Sequence, residues 1–218
     1  MGEDPNKSQA NRVGIPLSIG PVKTAFKAVF RPVVLEMAEA ERQQLKSIFR
    51  TSRSLVEYGA GGSTRLALRF GLNVTSVESD PKWITKIRQS PEVARAETSG
   101  KLNLLYGDIG EVGPWGKPVD PERNDKWLNY VNAPWPQKTD LVLIDGRLRV
   151  ACAAKAVFET GPSTTVIIHD FWPRKEYHVV LPMFDVVHEV NTMAVLKPRS
   201  DANQIAKKLL AEYRYVID

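Results

Sequence analysis

Apolar residues along this chain follow two spacings, one typical of buried strands and one typical of amphipathic helices. Short runs such as LVLI at 141–144 and TVII at 165–168 are apolar throughout and end in polar residues. A strand covered on both faces by helices has this composition, because neither face meets water. Between such runs, apolar residues three or four positions apart predict helices.

The pattern predicts seven strands and six helices. Strands are predicted at 54–59, 73–79, 101–107, 139–145, 163–171, 185–191 and 193–199. Helices are predicted at 35–50, 63–70, 81–89, 150–160 and 174–184, with a last one through Ile205, Leu209 and Leu210. Repeated βα units with apolar strands indicate an α/β fold, a doubly wound and mostly parallel sheet with helices on both faces. The last two strands are close in sequence, so we expect a C-terminal antiparallel strand.

We expect a single domain over residues 1–218, with a polar N-terminal tail at 1–20. An insertion at 110–138 breaks the βα rhythm; it is rich in Pro and Gly and carries Trp115, Trp127, Tyr130 and Trp135. Insertions of this length are usually functional or disordered, and the tryptophans argue against disorder. The insertion is therefore predicted to cover a site at the carboxyl ends of the strands. The alternative is that its aromatic residues pack an extra structural helix.

Composition and charge limit the classes of partner expected for this protein. The net charge is +5, but Lys and Arg are scattered among 25 acids, which is typical of a solvated surface, so a nucleic-acid partner is not expected. No apolar run approaches the roughly 18 residues that span a bilayer, and the N-terminus lacks the apolar core of a secretory signal. Cys152 is the only cysteine. We expect a cytoplasmic protein without a membrane partner; a homo-oligomer stays open.

A glycine-rich turn, EYGAGGST at 57–64, follows the first predicted strand and opens the first of the βα helices. Gly59 and Gly61 permit a tight turn and close approach of a ligand, and the helix N-terminus adds free N–H groups. Thr64 stands where a dinucleotide-binding turn has its third glycine. Glu57 is unfavourable beside a pyrophosphate but suits a cationic ligand. Charge therefore favours S-adenosylmethionine (SAM), with its ammonium and sulfonium groups, over NAD.

Two further acids follow predicted strands. Glu78 ends the second strand, where a carboxylate can accept hydrogen bonds from both ribose hydroxyls. Asp108 follows the third strand, where it can accept from an adenine amino group or simply form a turn with Gly107.

This order of motifs resembles the class I SAM-dependent methyltransferases, which have a Rossmann-like fold. The resemblance covers about residues 35–199. It implies SAM as the cofactor, with Glu57, Gly59 and Gly61 at its methionine part. It also implies that Glu78 holds the ribose and that Asp108 lies near the adenine.

We predict that methyl transfer takes place beside Asp145, His169 and Asp170, which lie at the ends of two further strands. A methyl acceptor must lose a proton, and any of the three is a candidate base; His169 is alternatively a core histidine. Arg147 and Arg149 are suited to an anionic acceptor, or to a solvated loop or an ion pair with Asp145.

Two partial resemblances bear on these acids. The aspartates are similar in placement to the metal-binding acids of catechol-type O-methyltransferases. Phe171 stands where that family has Asn, so no metal is predicted. The His-Asp pair resembles that of the glucuronoxylan O-methyltransferase group. The sequence therefore predicts a SAM-dependent methyltransferase acting on oxygen or nitrogen of a small polar or sugar-like acceptor. The alternatives are a non-catalytic protein that binds SAM or a nucleoside, and an NAD-dependent oxidoreductase.

Overall fold

The computed structural model of the chain describes residues 33–122 and 125–217, so the polar tail predicted at 1–20 lies outside the described residues. Its strands are β1 (Ser54–Tyr58), β2 (Asn73–Glu78), β3 (Leu102–Tyr106), β4 (Leu141–Ile144), β5 (Thr165–Ile168), β6 (Phe184–Val190) and β7 (Met193–Pro198). Its α-helices are α1 (Glu39–Thr51), α2 (Gly62–Arg69), α3 (Pro81–Arg88), α4 (Pro91–Thr98), α5 (Trp127–Val131), α6 (Arg149–Glu159) and α7 (Asn203–Tyr213).

The seven strands form one sheet in the order β3-β2-β1-β4-β5-β7-β6. Strands β1 to β5 pair in parallel, and β7 is antiparallel to both of its neighbours. The predicted doubly wound sheet with an antiparallel C-terminal strand is therefore confirmed. A dinucleotide-binding sheet of order 3-2-1-4-5-6 lacks the antiparallel strand that here separates β5 from β6.

Successive residues of the central strands supply two separate hydrophobic layers. Val56 and Val142 pack in one core with α5, α6 and α7, whereas Leu55 and Leu141 pack in the other with α1 to α4. Helices therefore cover both faces, which explains why these strands are apolar at every position. None of the helices within the described ranges is both long and apolar enough to cross a membrane.

Three helical predictions need correction. The helix predicted at 35–50 begins at Glu39, because the Glu41 carboxylate accepts from the N–H of Ala38 at 2.9 Å and caps the helix there. The segment predicted as a helix at 174–184 is a series of 3₁₀ turns at Lys175–Met183, and Pro182, which has no N–H to donate, lies in its last turn. Helix α4 was not predicted; Pro91 occupies its first position, where proline is favoured.

Candidate active site

A pocket of about 710 Å³ opens at the carboxyl edge of the sheet. Parallel strands β1, β2, β4 and β5 end there, so residues far apart in sequence share its wall. Most of the predicted site residues line it: Gly59, Gly61, Glu78, Asp145, Arg147, His169 and Asp170. Glu57 and Asp108 do not lie in this wall.

The turn between β1 and α2 needs glycine at two positions. Gly59 has φ +96°, and a Cβ there would lie 2.9 Å from the backbone nitrogen of Gly146 in the loop after β4. A Cβ on Gly62 would overlap the backbone of Val34 and Leu35, so the chain before α1 packs directly on this turn. Among the described residues, a Cβ on Gly61 would meet only Val33, at 3.9 Å. Gly61 is buried but lines the pocket, where it presents backbone and no side chain to a ligand.

Glu57 lies beneath the turn and is completely buried. Its carboxylate accepts from the hydroxyls of Ser63 and Thr64 on α2, and from that of Ser76 on β2 at 2.6 Å. Burial raises the pKa of Glu57 to about 7, against the opposing effect of the three hydroxyls. The carboxylate therefore ties the first turn of α2 to the sheet and does not reach the pocket.

Glu78 is the buried carboxylate in the pocket wall. It accepts from three backbone N–H groups, those of Ala60 at 3.1 Å, Ser79 at 2.7 Å and Asp80 at 2.9 Å. Burial raises the pKa of Glu78, and these three hydrogen bonds act in the opposite direction. The contact with Ala60 couples the end of β2 to the glycine-rich turn.

Asp108 carries an ion pair at the surface. It accepts from Lys126 Nζ at 2.8 Å and from the N–H of Gly110 at 2.9 Å, and the hydrogen bond from Lys126 holds its pKa below the usual value. This arrangement matches the alternative interpretation, in which Asp108 forms a turn with Gly107. The predicted contact between Asp108 and an adenine stays a prediction.

Asp145 and His169 meet in the pocket wall, and Asp145 lies next to the glycine-rich turn, since a Cβ on Gly59 would be 3.0 Å from its carbonyl carbon. Oδ1 of Asp145 lies 2.9 Å from Nδ1 of His169 and 3.4 Å from a guanidinium nitrogen of Arg149. Nε2 of His169 lies 3.4 Å from Glu41 of α1, a residue that sequence reasoning missed. The only sequence signal is its spacing, since Glu41 precedes the buried Leu45 by four positions and Phe49 by eight.

Arginines surround the second acid. Asp170 has φ +52° and lies 3.2 Å from Arg174 and 3.9 Å from Arg149. Arg149 is 4% exposed and donates to the carbonyl oxygens of Gly146 and His169, so it braces the loops after β4 and β5. Within 33–122 and 125–217, no three His, Cys, Asp or Glu side chains are arranged to hold a metal ion.

The insertion at 110–138 divides into two parts. Trp115 lines the pocket, is 84% exposed, and its carbonyl accepts from Arg147 at 3.2 Å. Trp127 and Tyr130 of α5 are buried in the core, as the alternative interpretation expected. Tyr130 also lines the pocket. One segment thus supplies both a pocket wall and core packing.

Comparison with known proteins agrees with this architecture. No family model matches the sequence, and neither does any curated protein. A methyltransferase-like protein from Silicibacter pomeroyi is similar in structure, with a TM-score of 0.69 and 27% sequence identity over 82% of this chain and 97% of that one. The chain belongs to the class I methyltransferase superfamily.

More distant members of the superfamily share the fold alone. They include an S-adenosylhomocysteine-bound methyltransferase from Podospora anserina and a methyltransferase from Geobacter sulfurreducens. Each has 12% identity and a TM-score of 0.51, and each match covers 75% of this chain and 80% of the other. The predicted superfamily and fold class are therefore confirmed, and the acceptor is not identified by these matches.

Proposed function

We propose that this protein is a SAM-dependent methyltransferase that modifies an oxygen or nitrogen atom of a small polar or sugar-like acceptor. One observation carries the proposal. The glycine-rich turn, Glu78, Asp145 and Asp170 all line a single pocket of about 710 Å³. Cofactor-binding and proton-accepting groups therefore face the same space.

The glycine-rich turn and Glu78 fit SAM. Gly61 and Glu78 both line the pocket, where Gly61 presents no side chain and Glu78 offers a carboxylate to ribose hydroxyls. The N-terminus of α2 adds the positive end of its helix dipole. Glu57 would act on the methionine part indirectly, because its carboxylate holds Ser63 and Thr64 in place beneath the turn. Glu78 would therefore contact SAM directly, whereas Glu57 would act on SAM only through the turn that it holds in place.

Bound SAM supplies an electrophilic methyl group on a positively charged sulfur. The protein must bring the acceptor beside that sulfur and receive its proton. Asp145 and Asp170 have side chains that are 27% and 37% exposed, so both carboxylates are accessible from the pocket. Arg147, Arg149 and Arg174 surround them and favour a polar acceptor.

Calorimetric titration with SAM, S-adenosylhomocysteine and NAD tests the cofactor. We expect the two adenosyl compounds to bind and NAD not to bind; binding of NAD alone would overturn the proposal.

Single-turnover methyl transfer with a panel of metabolites and sugars then tests activity. For any acceptor found, Asp145→Asn or Asp170→Asn should lower the rate at least about 100-fold with little change in SAM affinity. Glu97→Gln, on α4 outside the pocket, is the matched control. If SAM binds but no member of the panel is methylated, the non-catalytic binding protein becomes the better interpretation.

A further inference from the structure

Both ring nitrogens of His169 face carboxylates. Nδ1 lies 2.9 Å from Oδ1 of Asp145, and Nε2 lies 3.4 Å from Oε2 of Glu41. The residue is only 6% exposed, although part of it reaches the pocket wall. With both nitrogens occupied, the ring has no lone pair directed at an acceptor.

Glu41 is held in place by other hydrogen bonds. Its Oε1 accepts from the N–H of Thr192 at 2.9 Å and from the Thr192 hydroxyl at 2.7 Å, and its Oε2 accepts from the N–H of Ala38. Burial acts to raise the pKa of Glu41, but these hydrogen bonds and the nearby His169 outweigh it, so the pKa is lowered. A buried carboxylate with these donors stays ionised and cannot turn away from the ring.

The charge of His169 follows from its neighbours. A neutral imidazole has one donor and one acceptor, so it would point a lone pair at one of the two carboxylates. Only the imidazolium donates to both. Burial acts to lower the pKa of His169, but the hydrogen bond to Asp145 and the charges of Asp145, Asp170 and Glu41 outweigh it, so the pKa is raised. Arg149, which donates to the His169 carbonyl, is a positive charge close to this residue.

We propose that Glu41 is a positioning residue that, together with Asp145, holds His169 as a doubly hydrogen-bonded cation, so that Asp145 and not His169 takes the acceptor's proton. This inference rests on the proposed function. Oδ1 of Asp145 is engaged by His169 and Arg149, whereas Oδ2 has no donor among the described residues. The acceptor's proton passes to Oδ2, and the electron pair that this frees on the acceptor bonds the methyl carbon. The bond from that carbon to the SAM sulfur breaks, its electron pair stays on the sulfur, and S-adenosylhomocysteine is the leaving group. His169 neither gains nor loses a proton.

Nitrogen NMR of the histidine rings tests the charge state without SAM or an acceptor. The chain has three histidines, which His169→Asn and His188→Gln distinguish. In the wild-type protein near neutral pH, we expect both nitrogens of His169 to carry protons, because its pKa is raised above the ordinary value. Glu41→Gln should lower the pKa of His169 by about 1 or more, since it removes a charge within 4 Å. Glu39→Gln, an exposed acid of the same helix, should leave it unchanged.

Kinetics tests the consequence for Asp145. Glu41→Gln should lower kcat while SAM affinity is retained, because His169 no longer keeps its charge beside Asp145. A neutral His169 in the wild-type protein overturns the inference even if Glu41→Gln does not fold. A folded Glu41→Gln variant in which the pKa of His169 is unchanged also overturns the inference. A failure of SAM to bind would instead overturn the proposed function, and the measured charge of His169 would stand.

Discussion

Glu57 and Glu78 are buried carboxylates on neighbouring strands, and their surroundings differ in a way that separates their roles. Glu57 accepts from three side-chain hydroxyls and is sealed beneath α2. Glu78 accepts from three backbone N–H groups and remains in the pocket wall. Removing either charge should therefore affect a different property, stability for Glu57 and ligand affinity for Glu78.

Glu57→Gln should change how stability depends on pH. The pKa of Glu57 is about 7 in the folded protein, above its ordinary value of 4.5. The stability linked to its proton is therefore fully present below pH 4.5 and is lost as pH rises to about 7. The loss is on the order of 3 kcal/mol over this range. The variant should lack it, and urea unfolding between pH 5 and 8 measures the difference. Curves for wild type and variant that stay parallel would contradict this prediction; Glu97→Gln serves as control.

Glu78→Ala should weaken SAM binding while the protein still folds. If the carboxylate holds the ribose hydroxyls, its loss costs about 1.5–3 kcal/mol, the usual range for a hydrogen bond to a charged group. This corresponds to a roughly 10- to 150-fold higher Kd. Calorimetric titration beside Glu97→Ala measures the effect. An unchanged Kd in the Glu78 variant would remove this residue from the cofactor site.

At the scale of elements, the insertion at 110–138 contains some residues that pack in the core and others that line the pocket. Trp127→Ala should lower the free energy of unfolding by about 3–5 kcal/mol, because a fully buried tryptophan leaves a large cavity. Trp115→Ala should change it by less than about 0.5 kcal/mol, because that side chain is 84% exposed, and its effect should fall on turnover. Urea unfolding followed by circular dichroism compares the two. Equal destabilisation would mean that Trp115 is also part of the core.

Helix α1 shows how an element can reach a site from the other end of the chain. Leu45 and Phe49 anchor its buried face, and Glu41 lies on the same face one turn earlier. That placement brings Glu41 to His169, 128 positions away in sequence. The spacing indicates that Glu41 is buried, but only the packing of α1 near the end of β5 shows what it faces.

At the scale of the whole molecule, the pocket exists only when the sheet is assembled. Its wall combines Gly59, Glu78, Asp145 and Asp170 from four strand ends, so an unfolded chain has no such site. S-adenosylhomocysteine at 100 times its Kd should therefore stabilise the protein by about 2.7 kcal/mol. This corresponds to a rise in Tm of roughly 5–10 °C for a domain of this size. NAD at the same concentration should give none; a shift with NAD alone would point to a dinucleotide site.

The sequence by itself determined the sheet and much of the pocket. Strands apolar at every position require helices on both faces, and polar residues at the carboxyl ends of parallel strands must meet at one edge. Gly59, Glu78, Asp145 and Asp170 were predicted on that basis, and they line one pocket. Local sequence suffices here because each residue's place follows from the strand it ends.

Only the tertiary structure decided which of these groups reach the pocket and which partners they have. Glu57 belongs to the predicted turn, yet its side chain points to Ser63, Thr64 and Ser76 beneath it. In the sequence, Glu41 is one more acid of a charged helix. Only the structure shows that α1 packs beside His169. Burial, hydrogen-bond partners and pKa depend on distances between segments that are remote in sequence, and no local pattern specifies those distances.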